Sequence, residues 1–325
     1  MELFIGDEAL TGVKPKEIKK LPMPERFTSL EYWQLVHMLG SDGLNIPFLL
    51  QEAFLRYKDR KKLAKSYERN GEWPTKLIRI YYLLKPTDAD FNKMKRSFIQ
   101  KYVRNESKLE DIHEKNEIAG LRVMYNYLHS QEFEDDFSIY SLNELNKKLF
   151  TYAPFPEYAG VYRNEPRYLP GTGLDLCDYS MVRREMYALS PEVDALHDLA
   201  KEVRKFGDVD DLLSFLDWCV ELKVKLIWIH PFPDGNGRTV RAFINRLLED
   251  AGLPPIYVKA SERTEYHTAM NQAIGDGDLS AIKAFYRYKV CDSIIELDIE
   301  DRIKRERAEE QISPAGTQKV KQANN

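Results

Sequence analysis

Residues 230–241 read His230-Pro231-Phe232-Pro233-Asp234-Gly235-Asn236-Gly237-Arg238-Thr239-Val240-Arg241. An imidazole, with an ordinary pKa of about 6.5, is suited to take a proton from an attacking hydroxyl. Asp234 offers a carboxylate, and Mg²⁺ is often shared between one carboxylate and substrate phosphates. Gly235, Asn236 and Gly237 let the backbone bend sharply. At a helix start their unsatisfied N–H groups can point at an anion. Arg238 and Arg241 add two guanidiniums, which completes a phosphate cradle. A base, a metal carboxylate and an anion hole together suggest nucleotide chemistry. The G-x-x-x-x-G-K-[ST] phosphate loop is absent, and so is a G-x-G-x-x-G following a strand.

Two helices must hold these groups. Residues 209–229 carry Leu212, Leu213, Leu216, Cys219, Val220 and Val224 on one helical face and run into the segment. A second helix leaves it, with Val240, Phe243, Ile244, Leu247 and Leu248 at i, i+3, i+4, i+7 and i+8. Gly252 with Pro254-Pro255 beyond is its stop signal. At about 100° per residue, Arg238, Arg241 and Asn245 fall within a sector of roughly 60°. The spacing therefore predicts an apolar face in the core and two guanidiniums and an amide aligned on the other side. Asn245 either orients the loop or satisfies a neighbouring backbone group.

Upstream, residues 1–24 read as an irregular arm with Pro15, Pro22 and Pro24. Thr28-x-x-Glu31 is a capping box for a helix ended by Gly40. Asn45-Ile46-Pro47 starts another helix, to about Ser66. Glu72-Trp73-Pro74 breaks the chain before a run from Lys76 to Leu84. Lys85-Pro86-Thr87-Asp88 caps a helix through Phe91, Met94, Phe98 and Tyr102. Two short helices over 106–130, joined near His113, are followed by helices over 141–149 and 191–206. Residues 151–182, rich in Tyr, Pro and Gly, are the best place for a hairpin. Glu300 to Glu310 reads as a solvated helix end. The polar tail beyond Ser313-Pro314-Ala315-Gly316 reads as disordered. The fold class is mostly α, with one hairpin.

The 325 residues allow two or three domains. A 43% hydrophobic content supports a real core and argues against a wholly disordered chain or a disulfide mini-protein. The net charge of −4 argues against a strongly basic nucleic-acid binder. Arg60-Lys61-Lys62 and Lys93-x-Lys95-Arg96 read as solvated helix faces. Cys177, Cys219 and Cys291 are odd in number and far apart, so they read as reduced thiols, with Cys219 in the core. His37, His113, His129, His197 and His267 form no H-x₃-H pair that would suggest zinc. No basic leader and no run of about 18 apolar residues is present, so the expectation is a soluble cytoplasmic protein with no membrane partner.

The string His230 to Arg241 resembles the Fic family motif H-P-F-x-[D/E]-G-N-G-R-x-x-R at every defined position. Ala159-Gly160-Val161-Tyr162-Arg163 resembles the G-x-[YF]-R segment that leads into that family's flap. Tyr266-x-x-Ala269-Met270 followed by Gly277-Asp278 is similar to its helix near the adenine site. The resemblance covers about residues 105–290. It implies a Fic-type helical bundle core over 105–295, with an inhibitory helix near 105–115, a β-hairpin flap over 159–182 and the motif loop over 230–241. Residues 1–104 would be an N-terminal helical extension, and 296–325 the charged helix end and tail.

The implied activity is protein adenylyltransfer: AMP moves from ATP, the co-substrate, to a Ser, Thr or Tyr hydroxyl, and pyrophosphate leaves. His230 would be the general base, Asp234 would hold Mg²⁺, and Gly235, Asn236 and Gly237 would form the anion hole. Arg238 and Arg241 would contact the β- and γ-phosphates, Tyr266 would lie by the adenine, and Phe232 would anchor the loop. The family's inhibitory pattern, [S/T]-x-x-x-E-[G/N], is matched in part by Glu106-Ser107-Lys108-Leu109-Glu110-Asp111. Glu110 would be the inhibitory residue. Glu106 stands where Ser or Thr is expected, and Asp111 where Gly or Asn is expected. Other readings stay open: transfer of another phosphate-containing group, removal of AMP, or a non-enzymatic nucleotide-sensing module. The partners implied are ATP and a protein bearing the acceptor hydroxyl. Nucleic acid is not among them, and auto-modification and a homodimer are left open.

Overall fold

The computed structural model describes residues 88–293 apart from 155–157, 170–171 and 207–208, together with residue 78 and the segments 4–5 and 8–9. The helices expected over 28–39 and 45–66, the run over 76–84 apart from residue 78, and the charged end and tail beyond 293 lie outside the described residues. The chain divides into two compact units, one of Met1–Tyr67 with Ile294–Asn325 and one of Glu68–Ser293. In the first, the described residues are a short antiparallel pair, β1 (Phe4–Ile5) and β2 (Glu8–Ala9), with Phe4 opposite Ala9.

The second unit is helical. Its elements are α1 (Asp88–Leu109), α2 (Lys115–Leu128), α3 (Gln131–Asp135), α4 (Ser141–Leu149), α5 (Val182–Ala188), α6 (Ser190–Phe206), α7 (Val209–Ile229), α8 (Asn236–Asp250) and α9 (Arg263–Gly275). A final helix, α10, covers residues 280–293. The helices read from periodicity over 141–149, 191–206 and 209–229 are present. The pair expected over 106–130 is the end of α1 followed by α2.

α8 is the axis of this unit, packing against α7, α6, α4 and α2. Val240, Phe243, Ile244, Leu247 and Leu248 are buried as the spacing requires. Its polar residues are buried too: Asn236, Arg238, Arg241 and Asn245 are each at most 6% exposed. A helix hidden all round must satisfy its polar groups inside the protein. Asn245 does so by bonding both backbone groups of Ile256, at 2.7 and 2.8 Å, and the Tyr125 hydroxyl at 3.2 Å. Its role is therefore to pin residues 253–259, not to orient the motif loop.

A hairpin is expected over 159–182. Among the described residues of that range there are no paired strands. The Arg163 N–H donates to the Pro231 carbonyl at 2.8 Å, and the Cys177 N–H to the Trp228 carbonyl at 3.1 Å. These two arms spend backbone hydrogen bonds on the motif loop and the end of α7 rather than on each other, and Pro166 has no N–H to give to a ladder. Cys177, Cys219 and Cys291 are free and buried. No helix among the described residues is long and apolar enough to cross a membrane.

Candidate active site

α7 ends at Ile229, and His230 follows with φ +49°. A non-glycine residue in the left-handed region costs about 1–3 kcal/mol unless its surroundings enforce it. Arg163, 3% exposed, enforces it. Its Nε donates to the His230 carbonyl at 2.7 Å, Nη2 to the carbonyls of Ile229 (3.2 Å) and Cys177, and Nη1 to that of Glu165 at 3.0 Å. One guanidinium thus caps the helix end, where last-turn carbonyls have no partner and a cation is favoured. His230 Nδ1 is buried and makes no well-formed hydrogen bond. Burial lowers the imidazole pKa to about 4, against an opposing pull from the Ile227 carbonyl. The ring is therefore neutral at pH 7.

Beyond His230 the loop is closed by its own residues. Phe232 is fully buried. The Asn236 amide bonds both backbone groups of Phe232, at 2.7 and 2.8 Å, so this side chain braces the loop instead of facing outward. Gly235 has φ +77°, and a Cβ there would come within 2.8 Å of the Leu149 and Phe150 side chains. A Cβ on Gly237 would come within 2.9 Å of Arg241 Nη1. Asn146, on α4, was not singled out in the sequence. It donates to the Asp234 carbonyl at 3.0 Å and accepts from the Gly160 N–H at 2.9 Å, tying the loop to the start of the expected flap. An asparagine inside an amphipathic helix gives no local sign of such a role.

At the mouth of α8 the N–H groups of Asn236, Gly237 and Arg238 have no acceptor within their own helix. Arg238 Nη1 is buried without a hydrogen bond, with Glu117 Oε2 at 3.5 Å. Arg238 Nη2 donates to Asp234 Oδ1 at 3.2 Å. An unsatisfied buried guanidinium nitrogen beside free helix-start N–H groups is a site that fits an anion. The Asp234 side chain is 72% exposed and borders a cleft of about 670 Å³ lined by Phe150, Tyr152, Tyr158 and Arg167. Its carboxylate is thus accessible to a cation. A second acidic group with a histidine (Glu134, His197, Asp250) lies at the other end of α8, where both carboxylates hold Arg246.

Arg241 sits in a buried cluster behind this mouth. Its Nε donates to Glu106 Oε1 at 2.8 Å, and its Nη2 to Glu106 Oε2 at 2.6 Å and to Glu110 Oε1. The Glu106 carboxylate is fully buried, while the Glu110 side chain is 30% exposed. Burial pushes the Glu106 carboxyl up against the pull of Arg241. For Glu110 burial also pushes up, but the Arg241 charge and hydrogen bond outweigh it and hold the carboxyl below its ordinary value. Tyr266 is 2% exposed, with its ring 6.0 Å from the Arg241 guanidinium carbon. Lys223, on α7, is buried 4.4 Å from the Tyr266 and Tyr286 ring centres and donates to the Tyr286 hydroxyl. Burial, then repulsion from Arg241, lowers its pKa well below the ordinary value.

Asp111 has φ +57°, and the Ile112 N–H closes the end of α1 onto the Ser107 carbonyl at 2.7 Å. This left-handed helix cap explains why Gly or Asn is expected at that position. Aspartate is among the few other residues that tolerate it.

Residues 136–248 match the family model described as the Fic/DOC family. The protein adenylyltransferase Fic of Nematostella vectensis is 28% identical over 186 residues, 55% of this chain and 38% of that protein. The Drosophila melanogaster protein of the same name is 29% identical over 185 residues, 55% of this chain and 33% of that protein. The chain therefore spans well under half the length of these curated relatives. Among solved structures, Fic-1 (residues 134–508) from C. elegans superposes with a TM-score of 0.51 at 19% identity, covering 88% of this chain and 82% of that one. A Fic-domain-containing signaling protein from Bacteroides thetaiotaomicron gives 0.55 at 17% identity, covering 70% and 98%. Both share the helical fold. The family match encloses the loop from His230 to Arg241, and that loop is held on a helical core of the same fold: over residues 136–248 the chain is similar to the Fic/DOC family.

Proposed function

We propose that this chain transfers AMP from ATP to a hydroxyl of a target protein, its own hydroxyls included. The observation that carries this reading is the placement of His230, forced into a left-handed conformation at the end of α7, beside the anion-binding mouth of α8. With Nδ1 buried, Nε2 is the nitrogen left to take the acceptor's proton. The freed oxygen forms a bond to the α-phosphorus, the bond from that phosphorus to the bridging oxygen breaks, and pyrophosphate leaves with the electron pair. The N–H groups of Asn236, Gly237 and Arg238, with the Arg238 guanidinium, would stabilise charge on the phosphates. Asp234 would hold Mg²⁺, which when bound offsets phosphate charge. Arg241, once freed of its carboxylate partners, would receive the γ-phosphate, and Tyr266 would line the nucleotide pocket behind it. The curated relatives bear the name protein adenylyltransferase, which supports nucleotidyl over phosphoryl transfer.

Incubation with Mg²⁺ and ATP labelled at the α-phosphorus is expected to label protein, and intact mass is expected to rise by one AMP. A gain of one phosphate instead would replace AMP transfer with phosphoryl transfer.

The lowered pKa of His230 has a pH consequence. The base works when neutral, so activity is present above its pKa and lost as pH falls through it. For a pKa of about 4, kcat/KM for transfer stays level from pH 8 to about pH 5 and declines only near pH 4. A decline centred at about 6.5, the ordinary histidine value, would place the base in a different environment.

A further inference from the structure

Arg241 is shared by two carboxylates that differ in freedom. Glu106 and Glu110 are one helical turn apart, so both point at the same face of α8. Glu106 lies inside α1, with helical backbone on both sides, and is fully buried with two oxygens on the guanidinium. Glu110 lies past Leu109, the last residue of α1, makes one hydrogen bond to the guanidinium and is partly exposed. A carboxylate in the turn can swing out, whereas one inside the helix can leave only if α1 itself moves.

Resting on the adenylyltransfer reading, we propose that Glu106 is a second, fixed carboxylate brake on Arg241, so that withdrawal of Glu110 alone does not free the guanidinium for a γ-phosphate. With Glu110 gone, Nε and one face of Nη2 remain bonded to Glu106, so the guanidinium still faces a carboxylate within hydrogen-bond distance. An incoming γ-phosphate then meets a neutral pair rather than a cation, and its own charge is repelled by Glu106. Release needs both carboxylates to be neutral or absent. This places the departure from Ser or Thr at position 106 in the regulation of the site.

The test compares ATP with ADP, because only the γ-phosphate reports on Arg241. Binding of each nucleotide with Mg²⁺ is measured by calorimetry on the full chain as wild type, Glu110→Gly, Glu106→Gln and the double variant. Glu106→Gln keeps the shape and one acceptor oxygen while removing the charge. The preference for ATP over ADP is expected to change by less than about threefold in Glu110→Gly and to rise by about tenfold or more in the double variant, the range for a hydrogen-bonded pair with a charged partner. Glu106→Ser with Glu110→Gly is expected to reproduce that rise, and thermal melting identifies a variant that has lost its fold. If Glu110→Gly alone reaches the preference of the double variant, or if a folded double variant gains nothing over it, the inference is overturned while the nucleotide reading stands. If none of the folded proteins binds ATP or ADP, the nucleotide reading fails and this inference with it.

Discussion

Replacing His230 by alanine is expected to lower AMP transfer by about 10²–10⁴-fold, the usual contribution of a positioned general base. The affinity for ATP with Mg²⁺ should stay within about threefold of wild type, because a group that acts only on the acceptor proton adds little to ground-state nucleotide binding. The structure separates these two jobs. The groups suited to hold phosphate are the first N–H groups of α8 and Arg238, while the imidazole belongs to the end of α7. Its left-handed backbone is enforced by Arg163 through carbonyls, not through the ring, so the truncated residue keeps the same anchors. Single-turnover transfer of labelled AMP measures the rate and calorimetry measures the affinity. A variant that transfers within tenfold of wild type would remove His230 from the role of base. One that loses rate and affinity together would show that the ring supports the loop rather than the chemistry.

The loop was legible because all its defined positions are adjacent in the chain. The flanking helices were legible because Val240 to Leu248 repeat with helical spacing. What was illegible depends on residues far apart in sequence. Glu106 looks like a mismatch in an inhibitory pattern, yet it forms a bidentate ion pair with a residue 135 positions away. Arg163 was visible only as part of a short motif, and its work is to hold carbonyls 66 and 67 positions away. Asn146 reaches 88 residues to the Asp234 carbonyl. No local periodicity encodes such contacts. The absence of paired strands among the described residues of 159–182 has a related reason. Turn-rich composition predicts that a segment bends, but not which backbone accepts its hydrogen bonds, and here arms of that segment bond the motif loop and α7. The α8 polar stripe was legible as a stripe, but its burial requires partners that α1, α2, the motif loop and the residues around Ile256 provide.

Removing the Arg241 guanidinium should be as damaging to the fold as His230→Ala is to the rate. Arg241→Ala leaves Glu106 fully buried without its cation and with the Glu110 carboxylate one turn away. Breaking a buried pair by deleting one partner costs about 3–5 kcal/mol, more than either partner's truncation on the surface would. Chemical denaturation at pH 7 is expected to show a loss of that size. In a Glu106→Gln background the same Arg241→Ala change should cost at least about 2 kcal/mol less, since the stranded charge is gone. The pH dependence has a definite sign. Burial already holds the Glu106 carboxyl above its ordinary value, and without the opposing pull of Arg241 it rises further. A carboxyl whose folded pKa exceeds its unfolded pKa destabilises the fold while ionised, fully so above the folded pKa, and the penalty fades as pH falls toward the unfolded value. Glu110 acts in a lower window: its lowered pKa stabilises the wild type throughout pH 7 to 5, and that advantage is lost only as pH falls below the ordinary carboxylate value. The stability gap between wild type and Arg241→Ala should therefore narrow between pH 7 and pH 5. A gap under about 1 kcal/mol at pH 7, within the range of a surface pair, or one that widens in acid, would mean that Glu106 finds another partner when the guanidinium is removed.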